Sequence, residues 1–97
     1  MISRKVVDKT VQVRCAASMG LIREEVWQST DGEVVKYNLA FINHHVFQGD
    51  NGRVLGYDNA HGKHERHFKG SVEVVKFPGY AALVKRFIEE VTELRKE

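Results

Sequence analysis

Apolar and polar residues alternate along the first half of the chain with the period of two that marks half-buried strands. Val11, Val13 and Cys15 share one face of the stretch from Thr10 to Cys15. Leu21 to Ser29 carries Ile22, Val26 and Trp27, and Asp31-Gly32 then supplies a hairpin turn. The clearest alternation runs from Val34 to Phe47, with Val35, Tyr37, Leu39 and Phe41 on one face and Lys36 and Asn38 on the other. After Phe41 the phase slips to Ile42, His44 and Val46, the pattern of a bulge or of burial on both faces. The Gly49-Asp50-Asn51-Gly52 turn leads into Arg53 to Tyr57. Residues 58–70 break the pattern and read as a polar loop, after which Val72 to Phe77 can form a short last strand.

The period then changes. Tyr80, Leu83, Val84, Phe87, Ile88, Val91 and Leu94 recur at helical spacing, which predicts an amphipathic helix over Tyr80–Arg95 started by Pro78. The expected fold is α+β: an antiparallel meander of about four to five strands packed by one C-terminal amphipathic helix. Trp27 is expected in the core, as is Cys15, the single cysteine. His44 and His45, neighbours on a strand, are expected to point to opposite faces.

Composition narrows the class. A chain of 97 residues with 42% hydrophobic and 29% charged residues is expected to be one domain, residues 1–97, of ordinary globular type. No apolar run reaches bilayer length and the N-terminus lacks a signal-peptide core, so a soluble cytoplasmic protein with no membrane contact is expected. A lone cysteine fits a reducing compartment. The net charge of +2 is informative only by its location: Arg53, Lys63, Arg66, Lys69 and Lys76 outweigh Asp58, Glu65 and Glu73, while the rest of the chain balances. A local basic excess points to an anionic partner.

The same quarter holds the segment Tyr57-Asp-Asn-Ala-His-Gly-Lys-His-Glu-Arg-His67, with histidines at 61, 64 and 67. Three readings of it stand open. In the first, imidazoles act as base and acid on RNA, taking the 2′-hydroxyl proton and protonating the leaving 5′-oxygen, while Lys63 and Arg66 hold the phosphoryl group and Asp58 orients one ring. This reading needs no cofactor. In the second, His61, His64 and His67 with a nearby Asp bind a first-row divalent ion, although the spacing matches no strong zinc signature. In the third, the segment is a hydrated loop whose histidines only form hydrogen bonds. A purely Coulombic patch has no need of mostly neutral histidine, which favours chemistry.

This block resembles the TumE family of toxin–antitoxin toxins, whose shared block reads approximately Tyr-Asp-Asn-x-x-Gly-Lys-Gly-x-His-Arg-His. Tyr57, Asp58, Asn59, Gly62, Lys63, Arg66 and His67 match it, and here His64 lies three residues before His67 rather than two. The Lys36–Phe41 run and the Phe77–Leu94 region are similar to the family's strand and closing helix. The resemblance implies a toxin with a cognate antitoxin partner, commonly of helix-turn-helix type, and growth inhibition through RNA. On this footing the expected activity is a metal-independent endoribonuclease. His64, His67 and Asp58 are its expected catalytic residues, and Lys63, Arg66, Asn59 and Tyr57 its expected substrate contacts. The alternative is a non-catalytic interaction protein working through the basic loop and the exposed helix face. Free sheet edges make a homodimer a further expectation.

Overall fold

In the computed structural model, which describes residues 2–97, strand follows strand in sequence order across one antiparallel sheet. The elements are β1 (Ser3–Arg14), β2 (Met19–Ser29), β3 (Val34–Ile42), β4 (Arg53–Asp58), β5 (Glu65–Phe68), β6 (Ser71–Val74) and the helix α1 (Tyr80–Leu94). The α+β meander with a C-terminal helix is as the sequence predicts, but the sheet has six strands rather than four to five. The extra strand is β5, hidden in the stretch that reads as a loop. Its Glu-Arg-His-Phe sequence has no apolar stripe because both its faces carry paired polar groups. Two glycine-assisted turns lie within the meander, the one at Asp31-Gly32 as expected. The Ser29 carbonyl accepts the Gly32 amide in the β2–β3 hairpin, and Lys69 (φ 46°) and Gly70 (φ 87°) form a two-residue link between β5 and β6. Positive φ at both central positions is the geometry whose twist matches a hairpin.

The helix lies over β3 and β4. Leu83, Phe87 and Val91 are buried against Tyr37, Leu39, Phe41, Leu55 and Tyr57. Burying such a stripe removes apolar surface worth roughly 25 cal/mol per Å², and this is what holds the helix to the sheet. Ile88, on the margin of the predicted stripe, is exposed. The helix end is tied back to the sheet by Arg95, whose Nε donates to the Arg14 carbonyl and whose own carbonyl accepts from Ala16 N. Cys15 is buried in the core cluster, as expected of a small hydrophobe.

Two sequence expectations change here. Strand β3 stops at Ile42, so His44 and His45 sit in an exposed turn rather than on a strand. Buried Asn43 starts that turn: its Oδ1 accepts from His45 N and its Nδ2 donates to Ser18 Oγ. Trp27 is only partly buried and lies under two cations, with Lys5 Nζ 5.0 Å and Lys36 Nζ 4.7 Å from its ring centroid. It therefore belongs to the surface opposite the helix and not to the core.

Candidate functional site on the helix-free face

Side chains alternate across a strand, so the register assigns the strand residues of the 57–67 block to one face or the other. Tyr57 is paired with Leu39 and Arg66, and these three face the helix. Asp58 is paired with Asn38 and Glu65, and Gly56 with Ala40 and His67, on the other side. A register shift between Phe41 and Ile42, where the hydrophobic phase slips, sets Arg53 opposite Ile42 and so brings it onto the same helix-free face. Gly56 makes room for it: a Cβ at Gly56 would stand 2.6 Å from Arg53 Cδ.

On that face the block builds a compact polar centre. His67 is 8% exposed, and its Nε2 lies 3.1 Å from Asp58 Oδ2 and 3.9 Å from Glu65 Oε1. The Oδ2 approach is off the line of the ring N–H, so Nε2 is a buried polar atom without a hydrogen-bond partner. Arg53 Nη1 donates to the same Asp58 Oδ2 at 3.3 Å, and its Nε donates to Asp50 at 2.8 Å. Asp58 Oδ1 accepts from Ala60 N, which fixes the carboxylate at the start of the turn. Asp58, Glu65 and His67 thus present one ligand atom each, all within 4.8 Å of one another.

A second polar network crosses the sheet from Asn38, the register partner of Asp58. Asn38 Nδ2 donates to Glu25 Oε1 at 3.0 Å, and Glu25 Oε2 pairs with Lys5 at 2.6 Å and Arg23 at 3.1 Å. The Lys5 hydrogen bond, followed by that of Asn38, pulls the Glu25 carboxyl down to about 2 against the opposing effect of burial. Arg23 also reaches Asp8 and Thr10 on β1. Beside this row lies a shallow groove lined by Glu25, Trp27, Lys36, Asn38 and Asp58.

The remaining predicted site residues are placed elsewhere. His64 lies on the helix side, where its Nδ1 shares a 2.8 Å hydrogen bond with the Tyr37 hydroxyl and its ring stacks on Phe77 at 4.2 Å. Tyr37 is itself stacked against Phe77 and tilted on Tyr80. Burial, and then the Asp58 and Tyr57 charges, push the Tyr37 phenol up to about 12. Tyr57 is buried and donates its hydroxyl to Glu90 of the helix, and Arg66 pairs with the same Glu90 and contacts the Tyr57 oxygen at 3.2 Å. Asn59 bridges backbone: its Oδ1 accepts from Tyr37 N and its Nδ2 donates to Val35 O, both at 3.0 Å. Lys63 is exposed in the turn, and His61 is exposed with Nδ1 3.4 Å from Glu65 Oε1. The structure therefore brings Asp58 and His67 together, separates His64 from them, and gives Tyr57, Arg66 and Asn59 internal partners. His61, His64 and His67 do not converge on one point.

Two members of the centre escaped the sequence reading. Glu65 had a signal, since residues 65 and 67 share a face once Glu65–Phe68 is taken as a strand. Arg53 had none before the register shift was known. The basic excess of residues 53–76 is also largely internal: Arg53 serves Asp50 and Asp58, Arg66 serves Glu90 and Glu73, and Lys69 serves Glu97.

Among the described residues no helix is long and apolar enough to cross a membrane. The family model described as Toxin TumE matches residues 3–95. No curated protein and no solved structure matches the chain.

Proposed function

The chain belongs to the TumE toxin family, and from that premise we propose that it is the toxin of a toxin–antitoxin pair and cleaves RNA without a metal ion, residues 1–97 acting as one domain. A toxin of this family has an antitoxin partner in general, and an RNA substrate makes the cytoplasm its place of action. The observation that carries the reading is the His67–Asp58 pair: a nine-tenths buried imidazole set against a carboxylate, with an arginine on the same oxygen, in the open face of the sheet.

In this reading the Asp58 carboxylate stands against the Nε2 side of the ring, and Nδ1 is the nitrogen that takes the proton. Removal of the 2′-hydroxyl proton lets that oxygen attack the adjacent phosphorus. The bond to the 5′-oxygen breaks, a 2′,3′-cyclic phosphate forms, and the 5′-oxygen leaves with a proton returned by the imidazolium. Arg53 is the cation placed to meet the phosphoryl charge, and Trp27 between Lys5 and Lys36 offers a ring on which a base can stack. Lys63, exposed in the adjoining turn, extends the phosphate path. His64 is left outside this centre and acts as a support of Tyr37. The test is purified protein with total RNA in EDTA. Cleavage that is lost in His67→Ala supports the mechanism; intact RNA, or equal cleavage by His67→Ala, removes it.

A second reading rests on the internal bonds of Tyr57, Arg66 and Asn59, which make much of the family-like block a structural clasp. Under it the protein arrests growth by binding and not by turnover. Growth arrest with RNA left intact by the purified toxin is its signature. The β6 edge, where Val72 and Val74 are exposed, is where a homodimer would pair, and sedimentation of the purified chain decides that point.

A further inference from the structure

We propose that Asp58, Glu65 and His67 form a binding site for a first-row divalent transition ion, represented by Zn²⁺. It differs in position from the histidine triplet that the sequence points to. It rests on two independent observations. The first is convergence: one nitrogen and two carboxylate oxygens lie within 4.8 Å of one another across two adjacent strands. The second is that His67 Nε2, covered by the protein, has no hydrogen-bond partner although two carboxylates surround it. A buried donor or acceptor without a partner costs free energy, so the position calls for one.

The spacing suits an ion better than a hydrogen bond. Atoms in neighbouring positions around an ion with bonds of about 2.0–2.2 Å lie about 3–3.5 Å apart. Asp58 Oδ2 is 3.1 Å from Nε2, within that range yet off the N–H line, and Glu65 Oε1 at 3.9 Å has a short movement to make. Glu65 has the freedom for it, since its other neighbour is exposed His61. An imidazole with two carboxylates suits zinc, nickel, cobalt or copper, whereas magnesium favours oxygen ligands alone. Three protein ligands leave coordination positions open to water.

Arg53 is the built-in competitor. Its Nη1 holds the same Oδ2 at 3.3 Å, and its charge opposes that of an entering cation. The ion therefore displaces Arg53 toward Asp50, its second partner at 2.8 Å. For the reading given above, on which this consequence rests, an ion on Nε2 draws the His67 ring toward the carboxylates and removes Arg53 from the phosphate position, so occupancy switches cleavage off. Binding itself depends on no such activity.

The test is calorimetric titration of the EDTA-treated, dialysed full chain with Zn²⁺ alone, paired with thermal melts. One saturable ion per chain is expected, with a melting point that rises with Zn²⁺. Glu65→Gln, nearly isosteric and half-buried, is expected to weaken binding by at least about tenfold, and Arg53→Gln to tighten it several-fold. Absence of saturable binding overturns the proposal, as does affinity unchanged in Glu65→Gln. His67→Gln adds a second arm if it folds by circular dichroism: unchanged affinity there also overturns it. RNA plays no part in these readouts. A chain that binds Zn²⁺ and cuts nothing refutes the ribonuclease reading alone, and one that cuts RNA in EDTA and binds no ion refutes this proposal alone.

Discussion

His64 and His67 are three residues apart in sequence and stand on opposite faces of the sheet, His64 bonded to Tyr37 on the helix side and His67 set against Asp58 on the other. Odd spacing within an extended segment forces this separation. The two rings therefore serve different ends, and their substitutions separate. His67→Ala is expected to lower RNA cleavage by about a hundredfold or more. His64→Ala is expected to leave cleavage within a few-fold of wild type and to cost about 1 kcal/mol of stability through the lost Tyr37 bond. Cleavage assays in EDTA alongside urea denaturation distinguish them, and equal loss of cleavage in both variants would put His64 back at the reacting centre.

Glu90 holds two groups from the sheet at once. Its carboxylate accepts from the buried Tyr57 hydroxyl and from Arg66. Glu90→Ala strips the acceptor from Tyr57 and leaves Arg66 with Glu73 as its one carboxylate partner. A loss of about 2–3 kcal/mol is expected, in the range for hydrogen bonds to charged groups. Urea denaturation measures it, and Glu90→Gln, which keeps an acceptor, is expected to lose less.

The three tyrosines of the chain all resist ionisation in the fold. Burial is the first cause in each, joined by Asp58 at Tyr37, Glu90 at Tyr57 and Glu24 at Tyr80. A raised folded pKa means that stability is intact below the unfolded value of 10.0 and falls as pH climbs from there towards about 12, where Tyr37 titrates. Ultraviolet titration of phenolate is expected to show no independent step near the ordinary value. All three ionisations should coincide with loss of the circular dichroism signal.

The acid limb has the opposite sign. Glu25 ionises at about 2 in the fold against 4.5 when unfolded, chiefly through Lys5 and then Asn38. Its contribution is complete above 4.5 and disappears as pH falls through that window to about 2. Glu25→Gln is expected to flatten the fall in melting temperature over this range, while lowering stability at neutral pH.

Asn59→Ala removes two hydrogen bonds to the β3 backbone and leaves Tyr37 N and Val35 O without their partner. A cost of roughly 2 kcal/mol is expected. Hydrogen exchange is the sharper measurement, because the Tyr37 amide should lose protection while amides of the β1–β2 hairpin keep theirs.

The alternation of Val34–Phe41 and the helical spacing of Leu83, Phe87 and Val91 carry the fold class, because those positions meet the core and answer to burial. β5 was not legible for the converse reason. Its residues are held by partners from other elements: Glu90 takes Arg66, and Asp58 faces His67. Polar composition then looks like a loop. The site was legible as residue types and not as an arrangement. Asp58 and His67 stand out as chemistry-bearing, but whether Arg66 or Arg53 joins them is a question of face. That depends on a register shift at Phe41 and Ile42. Trp27 is hydrophobic by type and surface-placed by parity, since it shares the side of Glu25 and Lys36.

Asn59 has a consequence for how the molecule can vary. Its amide offers an acceptor and a donor to β3 just beyond Asn38 and Asp58, the last pair of the β3–β4 ladder. The chain can thus leave the sheet early without unzipping it. The bend from Ala60 to Lys63 hangs between two anchored ends and bears no part of the ladder. Residues can be inserted into it or deleted from it while β4 and β5 keep their register. The size and charge of the rim beside Asp58 and His67 are in that sense adjustable separately from the scaffold beneath.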